Sequence, residues 1–291
     1  MIPHKAKVDF QEKILDWYAK NQRDLPWRKT RDPYNILISE VMSQQTQLSR
    51  VIPKYEKWID TFPTIHELAE AKISEVLHYW SGLGYNRRAL NLKKSAELID
   101  TQYSGIFPTT EKELLALPGI GQYTARAVLC FAFDQQIAVV DTNVRKVILT
   151  QFLNSEYIKN SVRQDFKLSD NLSSSEDKID DKMIQKIATQ LLPIGRAYEW
   201  NQALMDYAAA VLKKEKIPVP KQSKFHGSRR YYRGQILKVL LQKKKVPLKD
   251  IGLLIKKDYL ITEEKWLHEL IDELNKEGFI LVKNGIIELS S

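Results

Sequence analysis

The chain has 291 residues, with 45 Lys or Arg against 36 Asp or Glu, which gives a formal net charge of +9. This length predicts two or three structural units, and the charge favours a polyanionic partner over the alternative of a merely basic cytosolic protein. No apolar run approaches the roughly 18–20 residues of a membrane-spanning helix, and the first residues lack the apolar core of a signal peptide. We therefore expect a cytoplasmic protein without membrane contact, nucleoid-associated in a bacterium.

Apolar residues from Val8 to about Leu212 recur mostly at helical spacing, in segments separated by Pro, Gly or polar turns. Helices are predicted at FQEKILDWYAK (10–20), VIPKYEKWIDTF (51–62), TIHELAEA (64–71), ALNLKKSAELIDTQY (89–103) and KMIQKIATQLL (182–192). The polar segment 154–182 predicts a loop that is mobile in part. The pattern indicates an all-α domain over residues 1–215.

After Leu212 the composition changes, and two prolines with dense cations predict a basic linker at 216–232. Beyond it, helices are predicted at RGQILKVLLQKKK (233–245), LKDIGLLIKKDY (248–259) and TEEKWLHELIDELNKEG (262–278), the last capped by Thr262. FILVKNGIIELS (279–290) alternates around an Asn-Gly turn, as a hairpin does. Three helices and a hairpin indicate a winged-helix domain over 233–291, which binds either DNA or other proteins.

A Pro-Gly-x-Gly turn in LPGIGQYTARAV (117–128) joins two helical patterns, within a predicted hairpin at about 111–131. Such a turn points unpaired backbone N–H groups at one place and suits a phosphate. Gly119 and Gly121 fit this role, because a backbone approaches a phosphate closely only where side chains are absent. With the neighbouring Gln122, they are predicted to contact a DNA backbone.

Glu40 and Gln44 share one face of a helical pattern in ISEVMSQQTQ (38–47). Apolar residues surround Glu40, and such surroundings raise the pKa of a carboxyl group, so that it holds a proton near neutral pH. Glu40 is therefore a candidate general acid. The alternative is an ordinary acid on a solvated helix face.

Asp141 follows the apolar run IAVV (137–140) and precedes a helical pattern that begins near Asn143. Capping that helix is one role for its carboxylate. A second role is compatible with the first: cleavage of a base from its sugar develops positive charge on C1′, which a carboxylate stabilises. A proton donor, a carboxylate and a phosphate cradle together favour cleavage of the base–sugar bond in DNA.

Four segments in succession resemble the adenine DNA glycosylases of the MutY kind, in the helix-hairpin-helix superfamily. They are LPWRKTRDPYNILISEVMSQQTQ (25–47), WSGLGYNRRALNLKKSA (80–96), LPGIGQYTARAV (117–128) and VVDTNVRKV (139–147). The resemblance covers about residues 15–212. It implies a helix-hairpin-helix glycosylase fold of two helical lobes and a monomeric enzyme of base excision repair that removes mispaired adenine from double-stranded DNA.

The resemblance also assigns catalytic roles. Glu40 matches the acid that protonates adenine N7, and Asp141 matches the carboxylate that faces the sugar cation. Asn143 matches a polar residue that supports the site near Asp141. Tyr123 stands where strand-cleaving relatives carry a Schiff-base lysine, which implies a monofunctional enzyme without a lyase step.

Further matches concern the base and the DNA. Residues at the positions of the family's adenine-pocket wall are Arg23, Leu25, Trp27 and Arg28. Without the resemblance, Trp27 would be interpreted as a core residue. Extrusion of the base leaves a gap, and the residues that fill it match Gln45 and Tyr85. Ordinary packing after the Gly82–Gly84 turn is the alternative for Tyr85.

Two departures from the family pattern limit what it implies. Leu212 stands where the first ligand of a four-cysteine iron–sulfur cluster would be, and the only cysteine of the chain is Cys130. We therefore expect no cluster, no other metal and no cofactor. Family members usually carry a C-terminal domain that recognises 8-oxoguanine, and the C-terminal segment of this chain differs from it. Whether the base opposite adenine is guanine or 8-oxoguanine is therefore left undecided. Two alternatives remain: a thymine or uracil glycosylase for G·T and G·U mismatches, and a non-catalytic DNA-binding protein.

Overall fold

The computed structural model describes residues 2–153, 180–214 and 224–290. Its helices are, in chain order, α1 (His4–Asn21), α2 (Pro33–Ser43), α3 (Leu48–Thr61), α4 (Ile65–Glu70), α5 (Ile73–Trp80), α6 (Arg87–Gln102), α7 (Glu111–Leu115), α8 (Gln122–Phe131), α9 (Thr142–Val147), α10 (Asp181–Leu191), α11 (Ala197–Ala210), α12 (Arg229–Lys243), α13 (Leu248–Ile255) and α14 (Glu264–Glu277). Short 3-10 turns cover Pro26–Lys29 and Ile261–Glu263, and a π-helical turn covers Ile148–Phe152. The strands are β1 (Lys245–Pro247), β2 (Ile280–Lys283) and β3 (Ile286–Leu289). The predicted helical fold is confirmed, while most of the predicted loop at 154–182 lies outside the described residues.

The chain divides into two compact units. The first comprises Met1–Leu37, Thr109–Leu115 and Ile120–Val219, and the second comprises Ile38–Pro108, Ala116–Gly119 and Pro220–Ser291. None of the helices in the described ranges combines the length and the apolar composition needed to cross a membrane.

The core of the first unit is built around α11, which is buried along most of its length and packs against α1, α8 and α9. Phe10 of α1 contacts Trp200 of α11 edge-on, with ring centroids 5.9 Å apart. Asn201 is also buried, and its amide accepts from the Val139 N–H at 2.9 Å and donates to the Ile137 carbonyl at 2.9 Å. These bonds satisfy buried polar groups and hold the segment that leads to Asp141.

The second unit contains a helical core in which the fully buried rings of Trp58 and Trp80 meet edge to face, with centroids 5.7 Å apart. Such an arrangement is favourable for two aromatic rings. The helix α6 crosses this core and packs against α4 and α5. Its residue Lys93 is buried and donates to the Ala69 carbonyl at 2.9 Å, which fixes the end of α4.

The C-terminal segment of the second unit combines α12, α13 and α14 with a three-stranded antiparallel sheet in the order β1-β3-β2. Ile287 of β3 lies opposite both Val246 of β1 and Val282 of β2. The turn between β2 and β3 is Asn284-Gly285, with φ values of 51° and 70°, which a tight two-residue hairpin requires. The predicted hairpin is therefore present.

The start of this segment differs from the prediction. α12 begins at Arg229, inside the predicted linker 216–232, because the side chain of Ser228 caps the helix by accepting from the Tyr231 N–H at 3.3 Å. The part of that linker at 216–223 lies outside the described residues.

One further prediction about this segment was wrong, and one strand was missed. Thr262 does not cap α14; it lies inside the 3-10 turn Ile261–Glu263, because the Glu263 carboxylate accepts from the Leu260 N–H at 3.0 Å and closes the turn. β1 was not predicted at all. Its three residues include Pro247, and so short a run shows no alternation of apolar and polar side chains.

Candidate active site

Asp141 is held in place by hydrogen bonds to both of its carboxylate oxygens. It is the N-cap of α9, where Oδ1 accepts from the Val144 N–H at 2.7 Å and Oδ2 accepts from Nδ2 of Asn143 at 2.8 Å. Burial raises the pKa of this carboxyl, although the hydrogen bonds from Val144 and Asn143 act in the opposite direction. The structure thus brings Asn143 to Asp141 and gives the carboxylate one fixed orientation.

Two of the residues predicted to line the base pocket, Arg23 and Arg28, are anchored to a buried acid on α11. Asp206 is 1% exposed, and it accepts hydrogen bonds from Arg23 Nε at 2.7 Å and from both terminal nitrogens of Arg28 at 2.7 and 2.8 Å. Burial alone would raise the pKa of Asp206, but the hydrogen bonds from the two arginines hold it below its usual value. Leu25 and Trp27 are both buried. Their contribution to a base pocket stays a prediction.

On the second unit, Glu40 lies in the last part of α2 and is buried, only 9% exposed. The turn after α2 carries Gln44, which is half-buried, and Gln45, which is exposed. Gln45 has a φ of 53° and Tyr85 a φ of 49°, both in the left-handed region that side chains seldom adopt. Strained backbone of this kind tends to cluster at functional sites, and these are the two residues that the family resemblance assigns to the gap left by the base.

Arg88, near the start of α6, binds both of these turns. Its Nη1 donates to the carbonyls of Val41 and Gln44, each at 2.7 Å, and its Nη2 donates to the carbonyls of Leu83 and Gly84 at 3.2 and 3.1 Å. Burial lowers the pKa of this guanidinium to about 10. A single cation therefore satisfies carbonyls at the end of α2 and in the turn that precedes Tyr85.

The hairpin glycines differ in what requires them. Gly119 has a φ of 75°, and a Cβ there would lie 2.6 Å from Nδ2 of Asn91, so that neither the conformation nor the space admits a side chain. The N-cap of α8 is Gly121, where a Cβ would meet nothing within 4 Å. Because the protein leaves this space open, the side-chain-free surface there suits an external ligand. Gln122 is exposed and Tyr123 half-buried on the first turn of α8.

The residues predicted for the site belong partly to the first unit and partly to the second. Asp141, Asn143, Tyr123, Gly121, Gln122, Arg23, Leu25, Trp27 and Arg28 belong to the first unit, and Glu40, Gln44, Gln45, Tyr85 and Gly119 belong to the second. Sequence patterns do not indicate Asp206 or Arg88. The partners of Asp206 are distant in sequence, and nothing local distinguishes Arg88 from its neighbour Arg87.

The cations at the start of the C-terminal segment already have carboxylate partners. Arg229 pairs with Glu269 at 3.2 Å and with Glu273 at 2.6 Å, and Arg233 pairs with Glu273 at 2.9 Å and with Glu277 at 2.8 Å. A contact of these arginines with a DNA backbone would compete with these four ion pairs.

The residues present do not fit an iron–sulfur cluster. The side chain of Leu212 is buried at the predicted position of the first ligand, and its carbonyl accepts from Lys146. Cys130 is buried beside Asn201, and burial raises the pKa of its thiol to about 12, which disfavours a metal-binding thiolate. Within the described ranges, no group of three or more His, Cys, Asp or Glu side chains is arranged to hold a metal ion.

A capped carboxylate, a buried acid and a glycine-rich hairpin on a helical fold are the features that the resemblance to base excision DNA glycosylases predicts. Residues 38–169 match the HhH-GPD superfamily of base excision DNA repair proteins. A solved structure of a thermostable thymine-DNA glycosylase is similar over 71% of this chain and 87% of that one, with 31% identity and a TM-score of 0.59. The chain belongs to the HhH-GPD superfamily.

Relatives named adenine DNA glycosylase are also similar in sequence. The one from Buchnera aphidicola subsp. Baizongia pistaciae is 35% identical over 206 residues, which are 69% of this chain and 52% of the relative. The one from Mycolicibacterium smegmatis is 48% identical over 136 residues, 46% of each chain. The chain therefore spans about half the length of the curated relatives it matches.

Proposed function

We propose that this protein is a monofunctional DNA glycosylase that removes mispaired adenine from double-stranded DNA. Its superfamily and the relatives named adenine DNA glycosylase support this function. The observation that carries it is the Asp141 carboxylate, which hydrogen bonds from Val144 and Asn143 hold in one orientation at the start of α9. A fixed carboxylate is what a developing positive charge on a sugar requires.

In the proposed reaction Glu40 donates its proton to N7 of adenine. The bond between C1′ and N9 then breaks, its electron pair leaves with the neutral base, and positive charge develops on the sugar. Asp141 stabilises that charge while water adds to C1′, and the proton that the water releases restores Glu40. The products are adenine and an abasic site, and the residues act as in other two-carboxyl glycosidases.

The remaining site residues bind and orient the substrate. Gln45 and Tyr85 enter the stack that the extruded base leaves, and the turn that contains Leu25 and Trp27 contributes to the base pocket. Tyr123 supplies no amine, so no imine forms with the opened sugar and the strand stays intact. The enzyme acts as a monomer and needs no iron–sulfur cluster.

Excision assays test this proposal directly. Duplexes carrying A·G, A·8-oxoG, G·T or G·U pairs would be incubated with the wild type and then cleaved with alkali at abasic sites. We expect adenine to be removed from one or both adenine-containing mispairs. Removal of thymine or uracil instead would support a mismatch glycosylase of the other branch, and binding without any excision would indicate a non-catalytic protein.

Glu40→Gln provides the control for mechanism. The amide keeps the shape of the side chain but has no proton to deliver, and loss of a positioned acid lowers rates by about 10²–10⁴-fold. Binding of the duplex should change little. Excision by this variant at the wild-type rate would remove Glu40 from the mechanism.

A further inference from the structure

A cationic cleft lies on the second unit, outside the site described above. Its volume is about 270 Å³, and it is lined by Arg50, Pro53, Lys54, Lys57 and Gly82. The three cations stand at positions i, i+4 and i+7 of α3 and therefore share one face of the helix. Gly82 adds the wall contributed by the turn between α5 and α6, where a Cβ would lie 3.9 Å from Cε of Lys54.

Carboxylates in the described part of the chain leave the charge of this cleft unpaired. Arg50, Lys54 and Lys57 form no ion pair within the described part of the chain, whereas Arg229 and Arg233 each have two carboxylate partners. Burial, and after it the neighbouring charge of Lys57, lower the pKa of Lys54. Three like charges on one helix face repel one another, and a bound anion would offset that repulsion.

The position of the cleft indicates which anion it meets. α3 begins three residues after Gln45, and Gly82 precedes Tyr85 by three residues. One side of the cleft is therefore α3, the helix that follows Gln45. The other side is the turn between α5 and α6, which carries Tyr85. A strand of DNA whose base stack admits Gln45 and Tyr85 has its backbone beside those two turns.

We propose that this cleft binds a backbone phosphate of duplex DNA next to the point where Gln45 and Tyr85 enter the stack. The inference rests on the proposed function for the identity of the partner. Arginine offers a forked pair of donors and lysine a compact charge, and both suit a phosphate oxygen. A contact of this kind positions the duplex and carries no sequence information. It adds affinity for matched and mispaired DNA alike.

The test compares Lys54→Gln with a matched control, Lys20→Gln, which removes an exposed lysine on α1. Dissociation constants for a matched duplex would be measured between 50 and 200 mM salt. One lost phosphate contact lowers the slope of log K against log salt by about 0.9, so the wild type should lose about 3.5-fold more affinity over this range than Lys54→Gln. Lys20→Gln should follow the wild type, and thermal unfolding would verify that both variants are folded.

Three outcomes decide the matter. An equal loss of affinity for matched and mispaired duplexes in Lys54→Gln, with single-turnover excision at saturating enzyme unchanged, supports the proposal. A salt dependence identical to that of Lys20→Gln overturns it, even where adenine excision is intact. Tight binding of inorganic phosphate by the wild type, with duplex binding insensitive to Lys54→Gln, also overturns it and assigns the cleft to a small anion.

The matched duplex separates this inference from the proposed function. It contains no substrate base, so its salt dependence reports the phosphate contact alone. If Lys54→Gln reduces the salt slope but the wild type excises no mispaired base, the proposed enzyme activity is refuted while the phosphate site is supported. The double variant Arg50→Gln/Lys54→Gln extends the measurement, because its slope should fall by more than that of Lys54→Gln if both cations contact the backbone.

Discussion

Replacing Asp141 separates the structural role of its carboxylate from the chemical one. Asn accepts the Val144 N–H bond about as well as Asp, because both are good N-cap residues. The bond with Asn143 is kept when the exposed Asn143 amide rotates, because its oxygen then accepts from the new amide nitrogen. Asp141→Ala loses both bonds, and loss of the cap alone costs about 0.5–2 kcal/mol. The two variants should therefore differ in stability.

Their catalytic effects should be alike, because both remove the negative charge. Loss of one preorganised electrostatic group costs about 10²–10³-fold in rate. We expect a loss of at least this size in single-turnover excision for Asp141→Asn and for Asp141→Ala. Denaturant unfolding of the same samples would measure the difference in stability between them.

The chain offers a matched control in Asp180, which caps α10 by accepting from the Met183 N–H at 2.7 Å. Asp180→Ala should cost about as much stability as loss of the Asp141 cap, about 0.5–2 kcal/mol, while excision stays at the wild-type rate. The reasoning is refuted if Asp141→Asn excises adenine as fast as the wild type, since the charge would then have no part in the reaction.

Further predictions concern pH, the buried arginine, the metal and the lyase step. Because burial raises the pKa of Asp141, excision should fall as pH decreases through that raised value, and a rate that stays level down to the usual Asp pKa of about 3.9 would contradict this. Arg88→Lys should lower the free energy of unfolding by about 1.5–3 kcal/mol, the contribution of a charged hydrogen bond. Arg87→Lys, at an exposed position, should not lower it. Equal unfolding midpoints for the two variants would show that the bonds from Arg88 to the two turns do not stabilise the protein. Elemental analysis should find no stoichiometric iron, and about four iron atoms per chain would show that a cluster of the usual kind is present. Tyr123→Lys is the position at which to look for a borohydride-trapped imine, and a trapped adduct with the wild type would show that another amine attacks C1′.

Helices could be predicted from the sequence where their apolar residues keep strict helical spacing. α3 was predicted at 51–62 and α6 at 89–103, and both begin two or three residues earlier, where the first turn contributes little to the pattern. The predicted cap at Thr262 was wrong, because the Glu263 carboxylate accepts from the Leu260 N–H and forms a 3-10 turn that contains Thr262. The spacing of apolar residues thus located the helices, whereas local hydrogen bonds that the spacing does not reveal determined where they begin.

In the candidate site, too, residues with local partners could be predicted and residues with distant partners could not. Asp141 as a helix cap was predictable, because the accepting carboxylate and the Val144 N–H that donates to it are only three residues apart. Asp206 and Arg88 were not predictable, because each depends on partners that folding brings from distant segments. Arg28 and Asp206 are 178 residues apart, and Arg88 and Val41 are 47 apart. A single sequence contains no signal for such a pair.

The guanidinium of Arg88 has a consequence for the kinetics of the proposed base extrusion. Its bonds to the Gln44 carbonyl and to the Gly84 carbonyl fasten the turn of Gln45 to the turn of Tyr85. Two segments that share one clamp advance together, so we expect insertion into the stack to be a concerted event without a populated half-inserted state. Fluorescent base analogues on either side of a target adenine would then report one common rate constant, and two separable phases would show that the turns move independently.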